Sequence, residues 1–104
     1  MPHVIGRSGD IAAILFTDPL LAPLSPKRRN KILWVSRLPV RGSDLKIRAQ
    51  RMEGARAAGR PVARLVKGGP GPSYVDLPAP GCWRLTLRWS GHRDSLDLRY
   101  AANR

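Results

Sequence analysis

The feature that most constrains the fold of this chain is a strict alternation of apolar and polar residues over positions 82–100. The apolar positions are Trp83, Leu85, Leu87, Trp89, Leu96, Leu98 and Tyr100. A period of two places them on one face of two successive strands, and the polar segment 90–94 supplies the turn between them. The alternation therefore predicts a β-hairpin with one heavily apolar face.

Two pairing registers of this hairpin keep partners on the same side of the sheet. One sets Trp89 opposite Leu96 and Arg88 opposite Asp97, and the other, shifted by two residues, sets two arginines opposite each other. A pair of opposite charges is favoured over a pair of like charges by roughly 0.5–1 kcal/mol. We therefore expect the first register, which leaves residues 92–93 at the tip of the turn.

Five further stretches have the residue types of strands. They are 11–16, 31–38, 45–52, 62–66 and 74–77. Segments rich in proline or glycine separate them, and we expect the proline-rich stretch 17–30 to be a loop or an irregular edge. No segment sustains the spacing of apolar residues that an amphipathic helix needs.

About seven short strands in a chain of 104 residues predict an all-β fold, a single antiparallel sandwich of two sheets with Greek-key connections. A small closed barrel is the alternative. We expect the sandwich domain over residues 11–101 and a flexible N-terminal segment over 1–10. A chain of this length holds a core without crosslinks, and a lone cysteine, Cys82, excludes an intrachain disulfide framework.

The sequence has no apolar run near the ~20 residues that a membrane-spanning helix needs. Its first ten residues also lack the pattern of a secretory signal. As it stands the sequence indicates a cytoplasmic protein, with the cell envelope as the alternative if the N-terminus is truncated.

Reactive side chains show no catalytic or metal-binding spacing. Ser90, His92 and Asp94 are the residue types of a catalytic triad, but all three fall on one tight turn, where they cannot converge. His3, Cys82 and His92 lack the spacing of metal ligands. We therefore expect a polar turn, an inert thiol and a non-enzymatic protein without cofactor or metal.

Two other patterns also favour structure over chemistry. The glycine-rich stretch 68–72 contains two prolines, which remove amide donors that a phosphate cradle would need. Asp94 and Asp97 flank the hairpin turn, and we expect both to be exposed, with Arg88 and Arg99 as partners of Asp97. No pair of carboxylates for acid–base catalysis emerges.

Charge is the extreme property of the composition. The chain has 19 basic and 7 acidic residues and a formal net charge of +12, which favours nucleic acid, anionic lipid or an acidic protein as partner. Fifteen of the basic residues are arginines, and translation of a GC-rich bacterial gene is an alternative source of that excess.

Seven cations are candidate contacts for an anion or a nucleic acid. They are Lys27, Arg28, Arg29 and Lys31, on a loop, and Arg84, Arg88 and Arg99, on the C-terminal hairpin. A solvated loop is the alternative interpretation of the first four. The outward positions of the hairpin carry no aromatic side chain, so nucleic-acid contact there would be electrostatic and poorly specific.

The segment 31–38 is apolar on both faces, which is typical of a central, covered strand. If Trp34 enters the core, Leu33 and Val35 face outward and need a cover. The proline-rich segment 19–26 and a protein partner are the two candidates.

A sequence signature adds a family resemblance. The stretch GCWRLTLRWSGH at 81–92 resembles a Gly-Cys-Trp strand signature of uncharacterised bacterial proteins with a small immunoglobulin-like β-sandwich. Segments 30–35 and 70–73 are similar to parts of the same group, and the resemblance covers residues 11–100. It implies a non-catalytic binding or structural module, often associated with the cell envelope, and it transfers no functional residues.

Overall fold

Two separate β-sheets form the protein in the computed structural model, which describes residues 1–24 and 27–103. No helix occurs among the described residues. The two-sheet sandwich predicted from the alternating pattern is confirmed, and the closed alternative is wrong.

The smaller sheet has four strands in the order β1-β2-β4-β8. Its strands are β1 (His3–Ile5), β2 (Ile11–Leu15), β4 (Lys31–Ser36) and β8 (Pro72–Tyr74). All its pairings are antiparallel. The strand that carries Trp34 is central, as its two apolar faces predicted.

The larger sheet has six strands in the order β3-β10-β9-β5-β6, with β7 also paired to β5. Its strands are β3 (Leu20–Ala22), β5 (Leu45–Glu53), β6 (Arg56–Ala57), β7 (Val62–Val66), β9 (Gly81–Trp89) and β10 (His92–Ala102). β3 pairs with β10 in parallel, an exception to the expected antiparallel arrangement. Pro19 and Pro23 flank this short strand, and prolines are tolerated at such sheet edges.

The described chain forms ten strands rather than about seven. Residues 1–10 were expected to lie outside the domain as a flexible segment, but β1 pairs with β2, and Arg7 donates its backbone N–H to Ser95. The strand expected over 74–77 lies at 72–74, and the next residue, Val75, donates its backbone N–H to the Asn30 carbonyl outside the ladder.

The register of the C-terminal hairpin differs from both predicted alternatives. Trp89 lies opposite His92 and Arg88 opposite Arg93, so the turn has only two residues, Ser90 and Gly91. Both have positive φ angles, 49° and 79°, as a type I′ turn requires. The prediction assumed a longer turn with residues 92–93 at its tip, and those residues are the first of β10 instead.

The core between the sheets is built from the inward positions of the alternating strands. It contains Trp34, Trp83, Trp89 and Tyr100, all at most 3% exposed. Each of these side chains places an N–H or O–H donor in an otherwise apolar interior. Burial of such a donor without an acceptor lowers the stability of the fold. All four polar groups donate hydrogen bonds to protein atoms.

Three of these hydrogen bonds join parts of the chain that lie far apart in sequence, and those of Trp89 and Tyr100 are the two shortest of the four. The indole N–H of Trp89 donates to Ser36 Oγ on the opposite sheet, at 2.8 Å. The hydroxyl of Tyr100 donates to the backbone carbonyl of Val75, at 2.7 Å. Burial is the leading reason why the pKa of this phenol is raised above its usual value.

Replacing Tyr100 by phenylalanine tests the second of these contacts. Tyr100→Phe leaves the Val75 carbonyl without its donor and should lower the free energy of unfolding by about 1–2 kcal/mol. Urea denaturation measures the change. Tyr74→Phe is the matched control, since its exposed ring keeps the contact with Arg29, and a change above about 0.5 kcal/mol there would contradict the assignment.

Candidate anion-binding site

Several cations of the basic loop contact other residues of the fold. We define the basic loop as Lys27, Arg28, Arg29 and Lys31. The guanidinium of Arg29 donates two hydrogen bonds to one Asp76 carboxylate oxygen, at 2.9 and 2.8 Å, and lies 4.5 Å from the Tyr74 ring centroid. The other oxygen of Asp76 accepts the backbone N–H of Asn30. Arg29 is therefore engaged in a structural ion pair.

Two other cations of the basic loop also have partners. Arg28 donates to the Pro19 carbonyl at 2.9 Å, and the ammonium of Lys31 lies 5.6 Å from the Phe16 ring centroid. Residues 25–26, part of the predicted proline-rich loop and cover, lie outside the described residues.

Two of the three predicted hairpin arginines, Arg84 and Arg99, have neighbours within the fold. Arg84 donates to Asp97 at 3.1 Å, and Arg7 donates to the same carboxylate at 2.8 Å. Asp97 was expected to pair with Arg88 and Arg99; the observed register places Arg84 opposite it instead. Burial raises the pKa of Asp97, but the two guanidinium groups outweigh this effect and lower the pKa below its usual value.

The third hairpin arginine belongs to a different arrangement. Arg88 lies directly opposite Lys46 of β5 on one side and opposite Arg93 of β10 on the other. We call these three residues the cation row. Their side chains alternate with buried neighbours along each strand, so all three project from the outer face of the larger sheet and are exposed.

Within the described part of the chain, no side chain forms an ion pair or a hydrogen bond with the cation row. The row borders an open hollow of about 630 Å³, which Ser43, Asp44 and residues 89–92 also line. Asp44 is the carboxylate in this hollow, and its Oδ1 accepts the backbone N–H of Gly68 at 2.9 Å.

A fourth cation extends the site along β5. Arg48 lies two residues from Lys46, on the same face and opposite Thr86. It lines a second shallow hollow, of about 300 Å³, together with Lys46 and Arg88. The outer face of β5 and β9 therefore offers adjoining cationic hollows that share two side chains.

Sequence reasoning identified Arg88 but missed Lys46, Arg48 and Arg93. The alternation of 45–52 places the first two on a polar face, but it does not show that β5 lies beside β9, about forty residues away. Arg93 was assigned to the tip of the turn. A two-residue turn at Ser90 and Gly91 was the signal that would have placed Arg93 opposite Arg88.

Removing the central charge of the row should stabilise the fold. Like charges directly opposite each other are unfavourable, so Arg88→Gln should raise the free energy of unfolding by roughly 0.5 kcal/mol at low salt. The gain should shrink at high salt as screening increases. Urea denaturation at two ionic strengths measures it.

Arg56→Gln is the matched control, because Arg56 lies opposite Glu53. Because this variant removes one member of an opposite-charge pair, it should give no increase in the free energy of unfolding. A loss of stability in Arg88→Gln at low salt would contradict the proposed repulsion within the row.

The three residues of the triad pattern do not converge. Ser90 Oγ accepts the backbone N–H of Arg41 at 2.8 Å, and His92 Nε2 lies 3.0 Å from the Pro39 carbonyl. Asp94 is turned towards the N-terminal loop. Its carboxylate accepts the backbone N–H groups of Ser8, Asp10 and Ser95, at 2.9, 3.0 and 2.8 Å.

Asp94 is buried at 4% exposure, so the prediction of an exposed carboxylate is wrong. A Cβ at Gly6 would overlap this carboxylate, which explains the glycine at that position. Burial raises the pKa of Asp94, but the backbone donors outweigh burial and lower it below its usual value of 3.8.

The lowered pKa predicts a pH dependence of stability. The ionised Asp94 stabilises the folded state above its unfolded pKa, and this contribution is lost as pH falls through the folded pKa. The free energy of unfolding should fall between about pH 5 and pH 2, and less steeply in Asp94→Asn, which does not titrate. Equal slopes in the two proteins, measured by urea denaturation across that range, would contradict the assignment.

The remaining candidate positions are scattered over the fold. Cys82 is exposed, and its Sγ lies 4.0 Å from Arg99. His3 lies on β1, at the edge of the other sheet. Among residues 1–24 and 27–103, no cluster of histidine, cysteine or acidic side chains is arranged to hold a metal ion, and no helix has the length and apolarity to cross a membrane.

Leu33 and Val35 face outward on the smaller sheet, and Val35 is 46% exposed. The proline-rich segment does not cover them within its described residues, because β3 pairs in the larger sheet. A protein partner at this face stays a prediction.

Comparison of the chain with protein-family models, with curated proteins and with solved structures gives no significant match. The resemblance to the Gly-Cys-Trp group therefore rests on the sequence signature alone.

Proposed function

We propose that the protein is a non-enzymatic binding module whose larger sheet holds an anionic macromolecule on its outer face. The observation that carries this proposal is the cation row, in which Lys46, Arg88 and Arg93 lie on three adjacent strands and none of them forms an ion pair with another described residue.

The electrostatics of the row support this proposal. Like charges on neighbouring strands destabilise a sheet, so the row works against folding in the absence of a ligand. A polyanion on the face would relieve that repulsion and would release its own condensed counterions. The net charge of +12 would also draw such a ligand towards the protein from a distance.

The basic loop is the weaker of the two predicted contact regions. Arg29 is held by Asp76, and Arg28 by a backbone carbonyl. A ligand would have to break a two-point contact to recruit Arg29, whereas the cation row meets no such competition among the described residues.

The contacts of the polar hairpin turn favour a structural role for its side chains over a catalytic one. Ser90 and His92 are each engaged with the backbone of residues 39–41, and Asp94 with that of the N-terminal loop. These contacts serve the packing of loops around the hairpin and do not prepare a nucleophile.

Binding of heparin, a generic polyanion, tests the proposal. The row variant, Arg88→Gln with Arg93→Gln, should weaken heparin binding at low salt by about tenfold or more, since two cationic contacts to its sulfate groups are lost. The matched control, Arg56→Gln with Arg60→Gln, removes two exposed arginines on the β6 side of the sheet and the same net charge.

Isothermal titration or heparin-column elution measures both variants. An equal loss in the two variants would show that net charge alone determines binding. Unchanged binding in the row variant would also overturn the assignment of the site.

A further inference from the structure

We propose that the anionic ligand of this face is double-stranded DNA, held by its two backbones across the minor groove. This proposal rests on the function proposed above and names the ligand of the same site. It is carried by the spacing of the cation row, by the side chains that accompany it, and by the location of the exposed apolar residues.

The spacing of the row follows from the sheet. Lys46, Arg88 and Arg93 occupy three adjacent strands in one register, and neighbouring strands lie about 4.8 Å apart. The backbone positions of Lys46 and Arg93 are therefore about 10 Å apart, with that of Arg88 midway between them. The minor groove of B-form DNA is about 6 Å wide.

A row of this length is sufficient to straddle the groove. Lys46 and Arg93 would each lie over one of the phosphate backbones that border it. Arg88 would lie over the groove itself, and a narrow minor groove has an enhanced negative potential that attracts arginine. Arg48, two residues along β5, adds a cation along one backbone.

Single strands are the less suitable ligand. Proteins that bind them combine cations with aromatic side chains on which bases stack. The outward positions of β5, β9 and β10, all of which the structure describes, carry no tryptophan, tyrosine or phenylalanine. The outer face of these strands therefore offers cations for a phosphate backbone and no aromatic ring on which an exposed base could stack.

An anionic membrane also fits less well. Membrane-surface proteins insert apolar side chains between lipids beside their cations. Here Ile5, Phe16, Val35 and Tyr74 are exposed at the smaller sheet, whereas the cation row projects from the larger one. Two exposed large apolar residues lie near the row as separate side chains: Leu65, opposite Lys46, and Val40, in the segment that contacts the hairpin turn.

Fluorescence anisotropy tests the proposal with a short labelled DNA duplex, a single strand of equal length and vesicles containing phosphatidylglycerol. We expect the duplex to bind most tightly. Each phosphate contact contributes about 0.9 to the slope of log K against log salt. For the row variant, which lacks two of these contacts, the magnitude of the slope should therefore fall by about 1.8. For the control variant, Arg56→Gln with Arg60→Gln, it should fall much less.

Groove competition makes the test specific. Netropsin, which fills the minor groove, should displace the protein from the duplex, whereas methyl green, a major-groove ligand, should not. Displacement by methyl green alone would overturn the placement across the minor groove.

Failure of this inference is distinguishable from failure of the proposed function. Equal or tighter binding of the single strand or of the vesicles overturns the duplex assignment, and loss of heparin binding in the row variant would still support an anion-binding face. If neither heparin nor duplex binding changes in the row variant, both proposals fail.

Discussion

The packing of Trp89 between the two sheets is the interaction on which the rest of the structure depends. Its ring is 2% exposed, and its indole N–H donates to Ser36 on the opposite sheet. A one-residue shift in the register of β9 would expose this ring to solvent and place the Arg88 side chain in the core. Burial of the ring thus determines which side chains of β9 face the solvent.

The turn that follows Trp89 determines the register of the C-terminal hairpin. Ser90 and Gly91 adopt positive φ angles, and the two-residue turn sets residue 92 opposite residue 89. Arg88 then has to face Arg93, although a longer turn would have given it an acidic neighbour. The like-charged row is therefore a consequence of core packing and turn geometry, and it is placed where an external anion can reach it.

Much of the fold could be predicted because the alternation of apolar and polar residues along a strand indicates directly which side chains are buried. Trp83, Leu85, Leu96 and Tyr100 are buried as their parity indicated. The short edge strands β1 and β3 could not be predicted in the same way. Three residues carry too little periodicity, and edge pairing depends on which neighbour the rest of the fold brings alongside.

The candidate site could be predicted less well than the fold, because it depends on pairing between distant strands. Local charge density pointed to the basic loop, but the fold neutralises Arg29 with Asp76, a residue that is 47 positions away. Lys46 becomes a neighbour of Arg88 only through the ladder between β5 and β9, and a pairing of two strands so far apart in sequence leaves no local signature. The pair of Arg88 and Arg93 did have a local signal, the two-residue turn at Ser90 and Gly91.

Mapping of the bound face by NMR tests the central claim most directly. In a titration of the isotope-labelled protein with a short DNA duplex, the account predicts the largest shift changes at backbone amides near Lys46, Arg88 and Arg93 and at the side-chain Nε–H groups of the two arginines. Changes concentrated on residues 27–31 instead, or none at any residue, would contradict it.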